Sequence, residues 1–300
     1  MIKRALVLSG GGSKGAWQLG ALKALAEVGR SWNSVHGISV GALNGSWIAM
    51  HPPEEHPGCV DGLIKVWDNV RTSDDIYEPW APCGLKYIWS MWKGSLNSGA
   101  PLRKLVKSYW NSVKLATSGV KLTVGCASLT SGLYAAIDGE NANIMEYVLA
   151  SSHMPLIFEP LIIDNQQWID GGIRHQIPIL EALKENPDEI DVVITSPISE
   201  TRIDRRDEII SVPGVALRLS EIVSDQIYVS DFFTVMRAAK SVDGLKINIY
   251  SPSVRPNTDS MDFDHLNIET GIQMGYEETK KKLDEEVAEA VSILKAEERL

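Results

Sequence analysis

The 300-residue chain predicts a mixed α/β fold built around a largely parallel sheet covered by helices. Three features point there. Short apolar runs alternate with longer helical patterns along most of the chain, glycine-rich turns follow the first two predicted strands, and hairpin signals are few. Strands are expected at Arg4–Leu8, Val35–Ile38, Lys121–Ala127, Leu133–Ile137, Gln167–Ile169, Asp191–Ile194 and Lys246–Tyr250, each a brief apolar or β-branched run bounded by polar or glycine positions. Helices are expected at Lys14–Val28, Val40–Met50, Ala142–Ala150, Ile179–Glu185, Gly214–Ser241 and Glu269–Arg299, from their periodicity and length. Gly132 and the pair Asp164-Asn165 read as hairpin turns, which adds a few antiparallel strands. The final stretch, from Glu277 onward, is charged and amphipathic and reads as a solvated outer helix.

One region, from His51 to Ser118, breaks the alternation. It opens with prolines and then carries Trp67, Tyr77, Trp80, Tyr87, Trp89, Trp92, Tyr109 and Trp110. Within one catalytic domain spanning residues 1–300, this segment is read as an insertion, and two roles compete for its aromatics. They either pack the insertion onto the core or form a lid or lipid interface, where rings with a polar tip are favoured.

Composition narrows the function. A formal charge of −10 disfavours nucleic acid and long-range attraction to anionic membranes. The three cysteines, Cys59, Cys83 and Cys126, have neither paired spacing nor a dense framework, so a reducing, cytoplasmic compartment is expected and no metal cluster. The apolar run after Met1 ends in glycines too soon for a signal-peptide core, and no run reaches the ~20 residues of a membrane span. Any membrane contact is expected to be peripheral, and oligomeric state is open.

The chemistry concentrates in three stretches. Gly37-Ile38-Ser39-Val40-Gly41 places Gly-x-Ser-x-Gly between a strand and an apolar helix, the context of a nucleophile elbow, so Ser39 is the candidate nucleophile. Gly10-Gly11-Gly12-Ser13-Lys14-Gly15 follows the first strand and opens a helix, a loop whose bare amides can face an anion. A dinucleotide site would want an acidic residue ending the second strand, where Ile38 and Ser39 stand, and a P-loop would want Lys after the final glycine. The remaining reading is an oxyanion hole from the Gly11 and Gly12 amides. Asp170-Gly171-Gly172 ends a third apolar strand and offers Asp170 as a general base, or merely a turn. Chain order also allows a Ser39–Asp170–His265 triad, with His265 in a loop before the last helix. His175 lies close enough in sequence to line the cleft, although nothing in its spacing makes it the base.

These motifs, with Ala150–Pro160 (ASSHMPLIFEP), occur in an order and spacing that resembles the patatin-like phospholipase family over roughly the first three fifths of the chain. The resemblance implies a three-layer α/β/α sandwich and a Ser39/Asp170 dyad without catalytic histidine. It also implies an oxyanion hole at the first glycine loop and hydrolysis of lipid acyl esters without metal or cofactor. Gly10, Lys14, Gly15, Gly37, Gly41, Gly171 and Gly172 would support the site. Ser151 and Pro155 match the family pattern, whereas His153 stands where a small residue is usual and Lys14 where Arg is frequent. A catalytically silent lipid-binding scaffold is the alternative of another class.

Overall fold

The computed structural model describes residues 2–80, 94–198, 212–254, 256 and 259–297. Strand β1 (Arg4–Leu8) is buried on both faces, and its alternate residues enter two different cores. Leu6 and Leu8 face helices α1 (Gly15–Glu27), α2 (Val40–Ala49), α3 (His56–Asp68) and α6 (Ile144–Ser151). Ala5 and Val7 face α7 (Ile179–Lys184) and α8 (Val212–Ser241), where Ile179, Ala182, Tyr228 and Val235 pack. The three-layer α/β/α arrangement follows from this two-sided burial.

β2 (Ser34–Ile38), β5 (Lys121–Ser128), β9 (Glu189–Val193) and β10 (Lys246–Tyr250) join β1 in the parallel order β10-β9-β1-β2-β5. β6 (Tyr134–Asp138), β7 (Leu161–Ile163) and β8 (Gln166–Asp170) add the antiparallel part. The β7–β8 turn has Asp164 and Asn165 at φ 51° and 61°, the left-handed pair that a two-residue hairpin wants. β7 itself was not foreseen, because three residues are too few to show a period.

The register of β5 decides the site. β6 covers one edge over residues 123–127, so β2 and β8 must share the other. On that edge Ile38 lies opposite Gly125 and Asp170 opposite the next residue, Cys126. Since β2 runs parallel to β5 and β8 antiparallel to it, their C-terminal ends meet head to head.

The 51–118 segment is helical where described, with α3, α4 (Ala100–Tyr109) and α5 (Ser112–Thr117), and it has a two-residue ladder of β3 (Glu78–Pro79) with β4 (Asn97–Ser98). Trp67 is buried, and Tyr77 packs on Phe158 with ring centroids 6.1 Å apart, so these aromatics pack inward. Tyr87, Trp89 and Trp92 lie outside the described residues, as does Cys83.

Helix α9 (His265–Glu297) corrects two expectations. It begins four residues earlier than expected, so His265 is its first residue rather than part of a preceding loop. Nor is it only a solvated layer: a Cβ on Gly20 of α1 would meet the Ile272 carbonyl oxygen at 1.9 Å, and one on Gly275 would meet that of Trp17 at 2.0 Å. Backbones in such contact leave room only for glycine, and the helix pair continues to the buried Thr279 and Leu283. Among the described residues, no helix is long and apolar enough to cross a membrane.

Candidate active site

Ser39 sits on the bend between β2 and α2 at φ 56°, ψ −128°, a conformation ordinarily left to glycine. The neighbours hold it there. Its amide donates to Ser151 Oγ at 2.9 Å, Ser151 Oγ donates to the Gly125 carbonyl at 2.7 Å, and Ser152 Oγ donates to the Ser39 carbonyl at 3.1 Å. The flanking glycines are needed for contact: a Cβ on Gly37 would lie 2.3 Å from the Gly41 carbonyl oxygen, and one on Gly41 would lie 2.3 Å from that of Leu8. The helix is therefore pressed against β1 with no room for a side chain between.

The carboxyl of Asp170, buried at the end of β8, faces the Ser39 side chain closely enough for the hydroxyl to favour its charged form. Gly172 N–H donates to Asp170 Oδ1 at 2.7 Å, and Asp170 N–H donates to the His153 carbonyl at 3.0 Å. Burial pushes the carboxyl up to about 6, while the Ser39 hydroxyl and the bond from Gly172 pull the other way. A carboxylate poised there is ionised at neutral pH yet keeps appreciable affinity for a proton, which suits a general base.

The glycine loop lies alongside. Gly10 N–H donates to the Gln176 carbonyl at 3.2 Å, and Thr195 Oγ1 donates to the Gly10 carbonyl at 2.6 Å. A Cβ on Gly10 would lie 3.3 Å from that of Ser39, so the loop passes directly over the elbow. Gly11 and Gly12 have φ of 153° and 59°, and among the described residues neither amide donates to another group. Ser13 N–H donates to the Ser260 carbonyl at 2.8 Å, and Lys14 is buried and lines the same cleft. A Cβ on Gly15 would meet Val40 at 2.2 Å, and one on Gly171 the Gly125 carbonyl oxygen at 2.3 Å. Every residue singled out in the three motifs thus converges on one place.

Gln176 had no signal in the sequence. Its carbonyl holds the Gly10 amide, and its Nε2 donates to the Gly172 carbonyl at 2.9 Å, so it ties the glycine loop to the turn after Asp170. It is held in turn by Asp231 of α8, which accepts from the Gln176 amide at 2.5 Å, from the Ile177 amide at 3.0 Å and from His175 Nδ1 at 3.2 Å. His175 is thereby occupied away from Ser39, and its pKa is raised by the bond to Asp231.

No triad assembles. His265 Nδ1 meets the Val70 carbonyl at 3.2 Å, and its Nε2 meets Arg71 at 2.6 Å and Glu269 at 3.2 Å, with neither Ser39 nor Asp170 among its partners. The ordinary chain order could not reveal that α9 starts at this residue and carries it to the far end of α3.

From Ser39 a cleft runs between α2, α3 and α4. Leu63, Val66 and Trp67 line it from α3 and Val70 from just beyond that helix's end, while Leu102, Leu105, Val106 and Tyr109 line it from α4. The α4 set follows the i, i+3, i+4, i+7 spacing of one helix face, and the α3 set the i, i+3, i+4 spacing. Its single buried amide, Asn44, is consumed by the wall: it accepts from Trp67 Nε1 at 3.0 Å and donates to Gln18 Oε1 at 3.1 Å and the Gly15 carbonyl at 3.3 Å. The slot therefore presents hydrocarbon to whatever enters it. Where α8 and the residues after β9 line the cleft it turns polar, with Ser196, Ser220, Glu221, Ser224, Asp225 and Tyr228.

The chain is similar to known proteins in sequence and in fold. A family model described as patatin-like phospholipase matches residues 6–183. Neuropathy target esterase sws of Drosophila melanogaster is 27% identical over 179 residues, and that of Drosophila persimilis is equally similar. The match covers 58% of this chain and 11% of those relatives, so the chain spans about a tenth of their length. Among solved structures, VipD from Legionella pneumophila has a TM-score of 0.48 at 17% identity, covering 95% of this chain and 67% of that one. Human GIVD cytosolic phospholipase A2, solved with methyl gamma-linolenyl fluorophosphonate, has a TM-score of 0.49 at 10% identity, covering 97% and 59%. With the family model spanning the glycine loop, the elbow and the Asp170 turn, the chain belongs to the patatin-like phospholipase family.

Proposed function

We propose that this protein is a serine acyl-ester hydrolase acting on lipids, with Ser39 as nucleophile and Asp170 as its base. One observation carries the reading: a strained serine faces a buried carboxyl at the head of a hydrocarbon-lined slot. The Ser39 oxygen attacks the ester carbonyl carbon while Asp170 takes the hydroxyl proton. The Gly11 and Gly12 amides receive the negative charge that develops on the carbonyl oxygen. Collapse of this intermediate breaks the bond to the alcohol, which leaves with the proton held by Asp170, and the acyl group remains on Ser39. Water then attacks the acyl-enzyme, giving its proton to Asp170, and the fatty acid departs as Ser39 recovers a proton.

An oxyanion held by two backbone donors, with the serine proton taken by the neighbouring carboxylate, accounts for a mechanism without histidine. The proton moves directly from the hydroxyl to the carboxylate that faces it, so no relay is required. Lipid substrates reach the slot from an aggregate surface, which makes the contact peripheral, and we place the protein in the cytoplasm. Ser39→Ala and Asp170→Asn should each reduce hydrolysis of p-nitrophenyl acyl esters to background while the circular dichroism spectrum stays native. A fluorophosphonate probe should label wild type and not Ser39→Ala. Absence of labelling in wild type, with retained lipid binding, would instead identify a silent scaffold.

A further inference from the structure

The apolar slot has a floor, and the three helices that build it allow its depth to be measured. Tyr109, the last residue of α4, lines the cleft, with its hydroxyl beside the Ser46 side chain of α2. Ser46 Oγ donates to the Leu43 carbonyl at 2.8 Å, which fixes this partner on α2. Behind Tyr109 stands Trp47, edge-on with ring centroids 5.5 Å apart, and Trp47 does not line the cleft. The space behind Trp47 is closed as well: its Nε1 donates to the Cys59 carbonyl at 2.8 Å, and a Cβ on Gly62 would lie 2.8 Å from its ring. The tyrosine ring is therefore an end wall with a second ring packed against its back.

The upper level is equally well marked. Gly99, just before α4, abuts the His153 ring, and the His153 carbonyl accepts the Asp170 amide, so α4 starts at the level of the dyad. From Ser39, the N-cap of α2, to Ser46 and from Leu102 to Tyr109 on α4 the count is seven residues in each case, which is about 10 Å at the helical rise. An extended alkyl chain of ~1.5 Å bonds at tetrahedral angles advances about 1.25 Å per carbon, so about eight carbons fill that length.

We propose that Tyr109 is the acyl-length gauge of this hydrolase, restricting efficient turnover to esters of medium-chain acids of about eight to ten carbons. The proposal rests on the hydrolase reading above and adds the substrate class. Each carbon that enters the slot removes hydrocarbon from water and raises kcat/KM by up to about fourfold. Carbons beyond the wall gain no contact and must fold back against it, so the rise stops and reverses.

The test is the chain-length profile of wild type, Tyr109→Ala, Tyr109→Phe and Leu105→Trp on p-nitrophenyl esters from butanoate to hexadecanoate, presented in detergent mixed micelles. Wild type should climb to a break near eight to ten carbons and fall at least about tenfold by sixteen. Removing the ring in Tyr109→Ala opens the space in front of Trp47, whose centroid is 5.5 Å behind, and should move the break outward by about four carbons. Tyr109→Phe keeps the wall and should keep the break. Leu105→Trp, one turn nearer the dyad, should move it inward. A wild-type profile that keeps rising to hexadecanoate overturns the gauge, as does a break that stays in place in soluble Tyr109→Ala and Leu105→Trp. The hydrolase reading fails separately, if no ester of any length is cleaved in a Ser39-dependent way.

Discussion

Replacing Asp170 with Asn removes a buried negative charge from the site, and the structure gives the size and the pH dependence of the effect. The carboxyl is 6% exposed, and burial raises it from 3.8 to about 6 despite the facing Ser39 hydroxyl and the hydrogen bond from Gly172. The folded state thus holds the proton more tightly than the unfolded chain. Below pH 4 both states are protonated and the group costs nothing. As pH rises from 4 to 6 the unfolded chain ionises first, and above 6 the full penalty of a buried carboxylate is present. A difference of 2.2 in pKa corresponds to about 3 kcal/mol at pH 7. Asn keeps an oxygen for the Gly172 amide and an NH2 for the Ser39 oxygen, so the variant avoids the charge without orphaning its neighbours. Asp170→Asn should therefore be inactive yet more stable than wild type by up to about 3 kcal/mol at pH 7 to 8, with the gap closing near pH 4. Urea denaturation at pH 4, 6 and 8 with a p-nitrophenyl ester assay measures both. A pH-independent gap, or an Asn variant less stable than wild type at pH 8, would refute the argument from burial.

Four further outcomes follow from the same geometry. Wild-type kcat/KM should rise with pH through a midpoint of about 6, because the base acts only when ionised; a flat profile from pH 5 to 8 would remove Asp170 from that role. Ser39→Gly should be more stable than Ser39→Ala by about 1–2 kcal/mol in thermal unfolding, since both lose the hydroxyl and only alanine keeps the strain of a positive φ. Asn44→Ala should cost about 2–4 kcal/mol by denaturant titration, because Trp67 and Gln18 lose their partner inside the wall. His265→Ala should leave kcat within about twofold of wild type, a result that a Ser-His-Asp triad, where each member is worth orders of magnitude, could not give.

Much of the site can be read from the residues because its parts are local. A glycine triplet after a strand, a serine between two glycines and an acid before two more are each short patterns with a backbone reason. The steric contacts at Gly37, Gly41 and Gly171 supply that reason. The α3 and α4 stripes are also periodic, yet the aromatic content of 51–118 draws attention to a surface role that Trp67 and Tyr77 do not have. His265 misleads for the opposite reason: a helix start depends on capping and on what α9 packs against, and chain order contains neither. Gln176 and Asp231 carry no motif, since their side chains bind backbone groups of other residues, and any residue could present those groups.

By itself, the sequence determined the strand-helix alternation, the two strained or bare-amide turns and the acid that ends β8, because these depend on conformations only certain residue types adopt. The tertiary structure decided that they meet. Nothing local sets which edge of β5 is shared by β2 and β8, how far Asp170 sinks from water, or where Tyr109 closes the slot. Those are matters of register and of packing between segments distant in the chain, and they fix both the proton affinity of the base and the room left for a substrate.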